Sequence, residues 1–156
     1  MVLYLIDEKG LSVREVEDLL YGRSGLKGLS GLSHDMRELE AAATPEAMEA
    51  IDYFVFRIRR ELGAMAAILS GLDALVFCGG IGEHAWRIRA RVCQGFEWLG
   101  IELDDARNQA GETIISSDRS RVRVFIIPTN EEMMIARHSA QLLNSARGPV
   151  AAAALA

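Results

Sequence analysis

A chain of 156 residues and 17.1 kDa is long enough for one ordinary domain with a buried core and too short for two. A net charge of -5 and a pI near 5.2 argue against a surface built to neutralise phosphates along a duplex, so no nucleic-acid partner is expected. No run of about 18 apolar residues occurs and "MVLYLIDEKG" carries no basic leader, which predicts a soluble, unexported, cytoplasmic protein with no membrane partner. Cys78 and Cys93 have neither CxxC spacing nor a histidine at ligand distance, so both are expected as buried, reduced thiols.

In chain order, "LSVREVEDLLYG" places Val13, Val16, Leu19 and Leu20 on one helical face, closed by Gly22. Four glycines and three serines between Gly22 and Ser33 predict loop until Ser33 or Asp35 caps "DMRELEAAA". Thr44, Pro45 and Glu46 then start a long helix as cap, first-turn proline and first-turn acid. Ile51, Phe54, Ile58, Leu62, Met65 and Leu69 form its apolar stripe, and Arg57, Arg59, Arg60 and Glu61 a charged face opposite.

After Gly71, "DALVFCGG" is continuously apolar over strand length and predicts a strand covered on both faces. A helix follows the glycines, with Glu83 and Arg87 as an i,i+4 pair. "LGIELDDARNQA" predicts a turn, a short extended piece and a small helix. A second strand over Arg121 to Ile127, a loop at Pro128 to Asn130 and a helix from Glu131 repeat the strand-loop-helix unit, so the fold class is α/β, helix-rich with a small central sheet. "RGPVAAAALA" is an Ala-rich tail, residues 148-156, beyond a domain of residues 1-147.

Chemistry would sit at the two strand-to-helix loops, because ligands of open α/β sheets bind beyond the carboxyl ends of strands. Gly79, Gly80 and Gly82 either let a ligand approach the backbone or merely allow a tight turn, and the GGxG pattern alone does not choose. In the second loop Asn130 can cap the helix, and Glu131 and Glu132 either serve its dipole or place a carboxylate beside a Mg²⁺ ion.

Three blocks, "GLKGLSGLSHDMRELE", "VFCGGIGEHAWRIRARVCQGFEWLGIELD" and "VFIIPTNEEMMIARHSAQLL", resemble successive blocks of the acetokinase family, over Leu5 to about Leu143. The resemblance implies part of an actin-like ATPase (ribonuclease H-like) domain. It also implies the family's activity, transfer of the γ-phosphoryl group of ATP to acetate with Mg²⁺, giving acetyl phosphate and ADP. Carried over by position, it implies that Asp35, Met36 and Arg37 lie along the adenosine. Gly79, Gly80, Ile81, Gly82 and Glu83 would face ribose and phosphates, and Glu131 would hold Mg²⁺ through water. Family members also form homodimers.

His84 departs from the family's GGIGEN, and His138 replaces a frequent acid. The resemblance begins just after the family's RSGDxDP segment, so the phosphate hairpin, the acetate pocket, the catalytic aspartate and the transition-state histidine and arginine have no counterparts in these 156 residues. The chain is therefore expected to act as the C-terminal nucleotide-binding portion, inactive alone and binding a small carboxylic acid only with the N-terminal half supplied. A non-catalytic nucleotide-binding or dimerisation module, and an unrelated α/β interaction domain, are the competing readings.

Overall fold

The computed structural model describes residues 1–146, without the side chains of residues 131 and 144–146. The expected tail over residues 148–156 lies outside the described residues. In chain order come helices α1 (Val2–Asp7), α2 (Val13–Glu17), α3 (Gly25–Ser30), α4 (Met36–Ala42) and α5 (Pro45–Ile68), then strand β1 (Ala74–Phe77). Helices α6 (Gly79–His84), α7 (Trp86–Cys93) and α8 (Asp105–Ala110), strand β2 (Arg123–Ile126) and helix α9 (Glu131–Ala146) follow.

Helix α5 is the spine. Its start is as expected: Thr44 Oγ1 accepts from the Ala47 amide at 3.2 Å, and Pro45 is the first helical residue, where its missing N–H costs nothing. Ala47, Ala50, Ile51 and Val55 are buried against Met36 and Leu39 of α4 and Ile88 and Val92 of α7. The predicted stripe fails toward the C-terminus, where Met65 and Leu69 are exposed and Ala66 is the buried residue. A small side chain there lets the helix end lie close to a second core of Ile101, Ile115, Val122, Val124 and Ile126. Leu62 and Phe77 border both cores and join them.

β1 and β2 pair in parallel, Ala74 opposite Arg123 through Phe77 opposite Ile126. Two antiparallel extended segments widen this sheet. The Ile115 amide donates to the Val124 carbonyl at 2.9 Å, and the Asp104 amide to the Ile115 carbonyl at 2.9 Å. β1 is not covered on both faces as its run of apolar residues predicted. Leu75 and Phe77 turn to the core, while Val76 on the other face is 46% exposed. Cys78, at the end of β1, is likewise exposed rather than buried; Cys93 is buried, and burial pushes its thiol up to about 12.

Other expectations need correction. The first amphipathic helix runs as α only to Glu17 and continues as a π-helical turn over Asp18–Gly22, leaving Val16 buried and Val13 exposed. The glycine-rich stretch holds α3, because Leu26 packs on the α4–α5 core and Gly31, at φ +66°, supplies the left-handed cap. Gly28 is obligatory in this helix, since a Cβ would lie 2.8 Å from the Arg23 carbonyl oxygen. The helix after the second glycine cluster is two helices broken at Ala85 (φ -94°, ψ 79°), so Glu83 and Arg87 do not pair. Among the described residues no helix is long and apolar enough to cross a membrane.

Candidate functional site

The start of α4 is built from its own polar side chains. Ser33 Oγ accepts from the Asp35 amide at 3.0 Å, holding Asp35 extended as the N-cap. Asp35 Oδ1 accepts from the Arg37 amide at 2.8 Å and from Arg37 Nε at 3.1 Å, and Oδ2 from Arg37 Nη2 at 2.6 Å. Hydrogen bonds from the Arg37 side chain, then its amide, draw the Asp35 carboxyl down to about 2. Asp35 and Arg37 stay at the surface while Met36 and Leu39, on the opposite side of the turn, are buried.

A carboxyl held lower in the folded state than in the unfolded chain adds stability above about pH 4, the ordinary Asp value, and loses it as pH falls toward 2. Asp35→Asn is expected to flatten that part of the stability–pH curve, as read by urea denaturation at pH 2, 3, 4 and 6.

The second segment leaves β1 at Cys78 and enters α6 through Gly79, whose φ of +70° a β-carbon would strain. The glycines thus form the helix rather than precede it. Gly82 lies against β1, where a Cβ would sit 3.4 Å from the Phe77 carbonyl carbon, whereas a Cβ on Gly80 would meet open space. Beneath α6 lies Arg89, 1% exposed. Its Nη1 donates to the carbonyls of Gly82 (2.9 Å) and Glu83 (2.8 Å), its Nε to Asn108 Oδ1 (2.8 Å) and its Nη2 to the Asn108 carbonyl (2.7 Å). Burial lowers the pKa of this guanidinium, yet at physiological pH arginine stays charged.

α4 and α6 face each other across a cleft of about 560 Å³, lined by His34, Asp35, Met36, Arg37 and Glu40 on one side and Gly80, Ile81, His84 and Ala85 on the other. Asp35, Met36 and Arg37 are thereby brought together with Gly80 and Ile81. Gly79 and Gly82 instead line, with Gly80 and Ile81, an adjoining apolar cavity of about 460 Å³ running back toward Phe54 and Leu62.

Glu83 is outside the cleft lining and reaches the other loop, where its Oε1 accepts from the Thr129 amide (3.0 Å) and hydroxyl (3.1 Å). The Thr129 amide is the main cause of its lowered pKa. This carboxylate ties the glycine segment to the loop after β2, which lies within the third motif block. In that loop Asn130 Oδ1 caps α9 by accepting from the Met133 amide at 2.8 Å. The side chain of Glu131, the expected Mg²⁺ ligand, lies outside the described residues.

Among the described residues no group of three or more His, Cys, Asp or Glu is placed to hold a metal ion.

Sequence reasoning missed His34 and Glu40 as cleft residues. Glu40 follows Met36 by one helical turn, which puts both on the cleft side of α4 and is the signal that could have found it. Arg89 and Asn108 gave no local signal, since a buried arginine in "WRIRARV" looks like its exposed neighbours.

The model of the Acetokinase family matches residues 1–137. Acetate kinase of Methylocella silvestris is 65% identical over 144 residues, 92% of this chain and 36% of that protein. Acetate kinase of Rhodopseudomonas palustris is 55% identical over 149 residues, 94% of this chain and 37% of that protein. Among solved structures, Porphyromonas gingivalis acetate kinase superposes with a TM-score of 0.79 at 36% identity, over 90% of this chain and 37% of that one. A propionate kinase from Francisella tularensis gives 0.75 at 38% identity, over 87% and 36%. The chain spans little more than a third of the length of these relatives.

Proposed function

The chain belongs to the acetokinase family, and on that premise we propose that it is the C-terminal nucleotide-binding portion of an acetate kinase. Its fold is part of the actin-like ATPase fold of its structural neighbours. The complete reaction in this reading moves the γ-phosphoryl group of ATP to acetate, giving acetyl phosphate and ADP. The observation that carries the nucleotide role is the convergence of two motif segments, Asp35 to Arg37 and Gly80 to Ile81, on one cleft.

Met36 and Ile81 give that cleft apolar surface suited to a base, while Arg37 and His84 add polar groups at its edge. Gly80 leaves room for a ligand against the backbone. Glu83 joins the two loops and is read here as positioning them, beside its proposed membership of the nucleotide loop. Mg²⁺, once bound with the nucleotide near Glu131, would neutralise phosphate charge. Acetate binding and the transition-state cations are assigned to the remaining portion of a full-length protein.

Exposed apolar side chains at Val76 on β1 and at Ile135 and Leu142 on α9 support further covering of these positions, by that portion and by the family's homodimer partner. A cytoplasmic address is part of the same reading.

Calorimetric titration of the 156-residue chain with Mg-ADP tests it. Saturable binding is expected, and Gly80→Leu should weaken it by about 100-fold or more, because leucine fills the cleft from a position whose backbone tolerates a side chain. Equal binding by the variant would move the site elsewhere.

A further inference from the structure

Helix α6 is poorly equipped to hold itself: it has six residues, three of them glycines, and no side-chain cap at its start. It is held from beneath. Arg89 sends both Nη1 hydrogens to carbonyls in the last turn of α6, and the remaining two of its four hydrogen bonds go to a single residue, Asn108. Asn108 is fully buried, and its Nδ2 donates to the Trp86 carbonyl at 3.0 Å, which fixes the start of α7 just past the break at Ala85. The next residue back, Arg107, anchors α8 to the sheet side through the Ser116 carbonyl (3.1 Å) and Asp118 (2.9 Å). A buried guanidinium whose hydrogen bonds end on neutral oxygens is costly, so its placement calls for a return.

We propose that Arg89 and Asn108 form a strut that fixes the α6 backbone, and with it the Gly80–Ile81 wall of the cleft, to helix α8. They are positioning residues for nucleotide binding, although neither lines the cleft between α4 and α6. The positioning role rests on the nucleotide reading above; the strut itself does not.

The test uses Asn108→Ala and Asn108→Asp in the 156-residue chain. Alanine removes the Oδ1 acceptor and the tie to Trp86 but leaves three of the four Arg89 hydrogen bonds, so the fold is expected to survive where loss of Arg89 could unfold it. Aspartate keeps both acceptors that Arg89 uses. In Asn108→Ala, amide hydrogen exchange over residues 80–85 should quicken by about tenfold with residues 47–60 unchanged. Mg-ADP affinity should fall by about tenfold, and Asn108→Asp should restore most of it.

Unchanged exchange at 80–85, or an equal rise in α5, would overturn the strut. Fast exchange with undiminished affinity would overturn the positioning role. If the unmodified chain binds no Mg-ADP, the nucleotide reading and the positioning role fall together, while the exchange data still decide the strut.

Discussion

Replacing Arg89 with methionine is expected to lower the unfolding free energy by about 3–5 kcal/mol, read as a fall in the urea midpoint at unchanged slope. Methionine fills much of the volume, but the carbonyls of Gly82, Glu83 and Asn108 and the amide oxygen of Asn108 lose their donors inside the protein. Each orphaned buried acceptor costs about 1–3 kcal/mol, partly relieved by relaxation. Against a total stability of about 5–15 kcal/mol for a domain, the loss is large. Arg89→Lys should fall between, because a single ammonium cannot reach the acceptors that the planar guanidinium serves from separate edges, the Gly82 and Glu83 carbonyls at Nη1 and Asn108 at Nε and Nη2. A methionine variant as stable as the unmodified chain would mean that the network adds nothing.

Leu39→Ala is expected to cost about 3 kcal/mol, within the 2–5 usual for a leucine truncated in a well-packed core. Leu39 is fully buried between α4 and the Ala47–Ile51 face of α5. It shares that core with Met36, which floors the cleft, so the cavity should also let α4 shift and weaken Mg-ADP binding. Thermal denaturation and the same calorimetric titration read the two effects. A stability loss with unaltered affinity would show that α4 needs no support from this core to present Asp35 and Arg37.

The parts of this fold legible in the sequence are those with local causes. Thr44 caps the helix it was expected to cap, and Asp35, one of the two candidates with Ser33, caps α4, because a side-chain oxygen one or two bonds from Cβ reaches a backbone N–H group two or three residues on. Both strands and the Asn130 cap were legible for similar reasons. Helix α3 was hidden because glycine spacing says loop, and only the contact of Leu26 with the α4–α5 core says helix. The break at Ala85 was hidden because neither proline nor glycine marks it.

For the site, the motif segments were legible but their mutual placement was not. Asp35–Arg37 and Gly80–Ile81 meet only through the packing of α4 and α7 on α5, while Glu83 turns to Thr129, a partner far along the chain. The sequence offered Arg87 as the nearest partner for Glu83, and the break between α6 and α7 removes it.

The central claim is that the cleft between α4 and α6 is a nucleotide half-site. The most direct test is a two-dimensional NMR titration of the labelled chain with Mg-ADP. Saturable shifts concentrated in the amides of residues 35–37 and 79–84 are expected. Absence of shifts at millimolar ligand in a folded chain, or shifts confined to other surfaces, would contradict it.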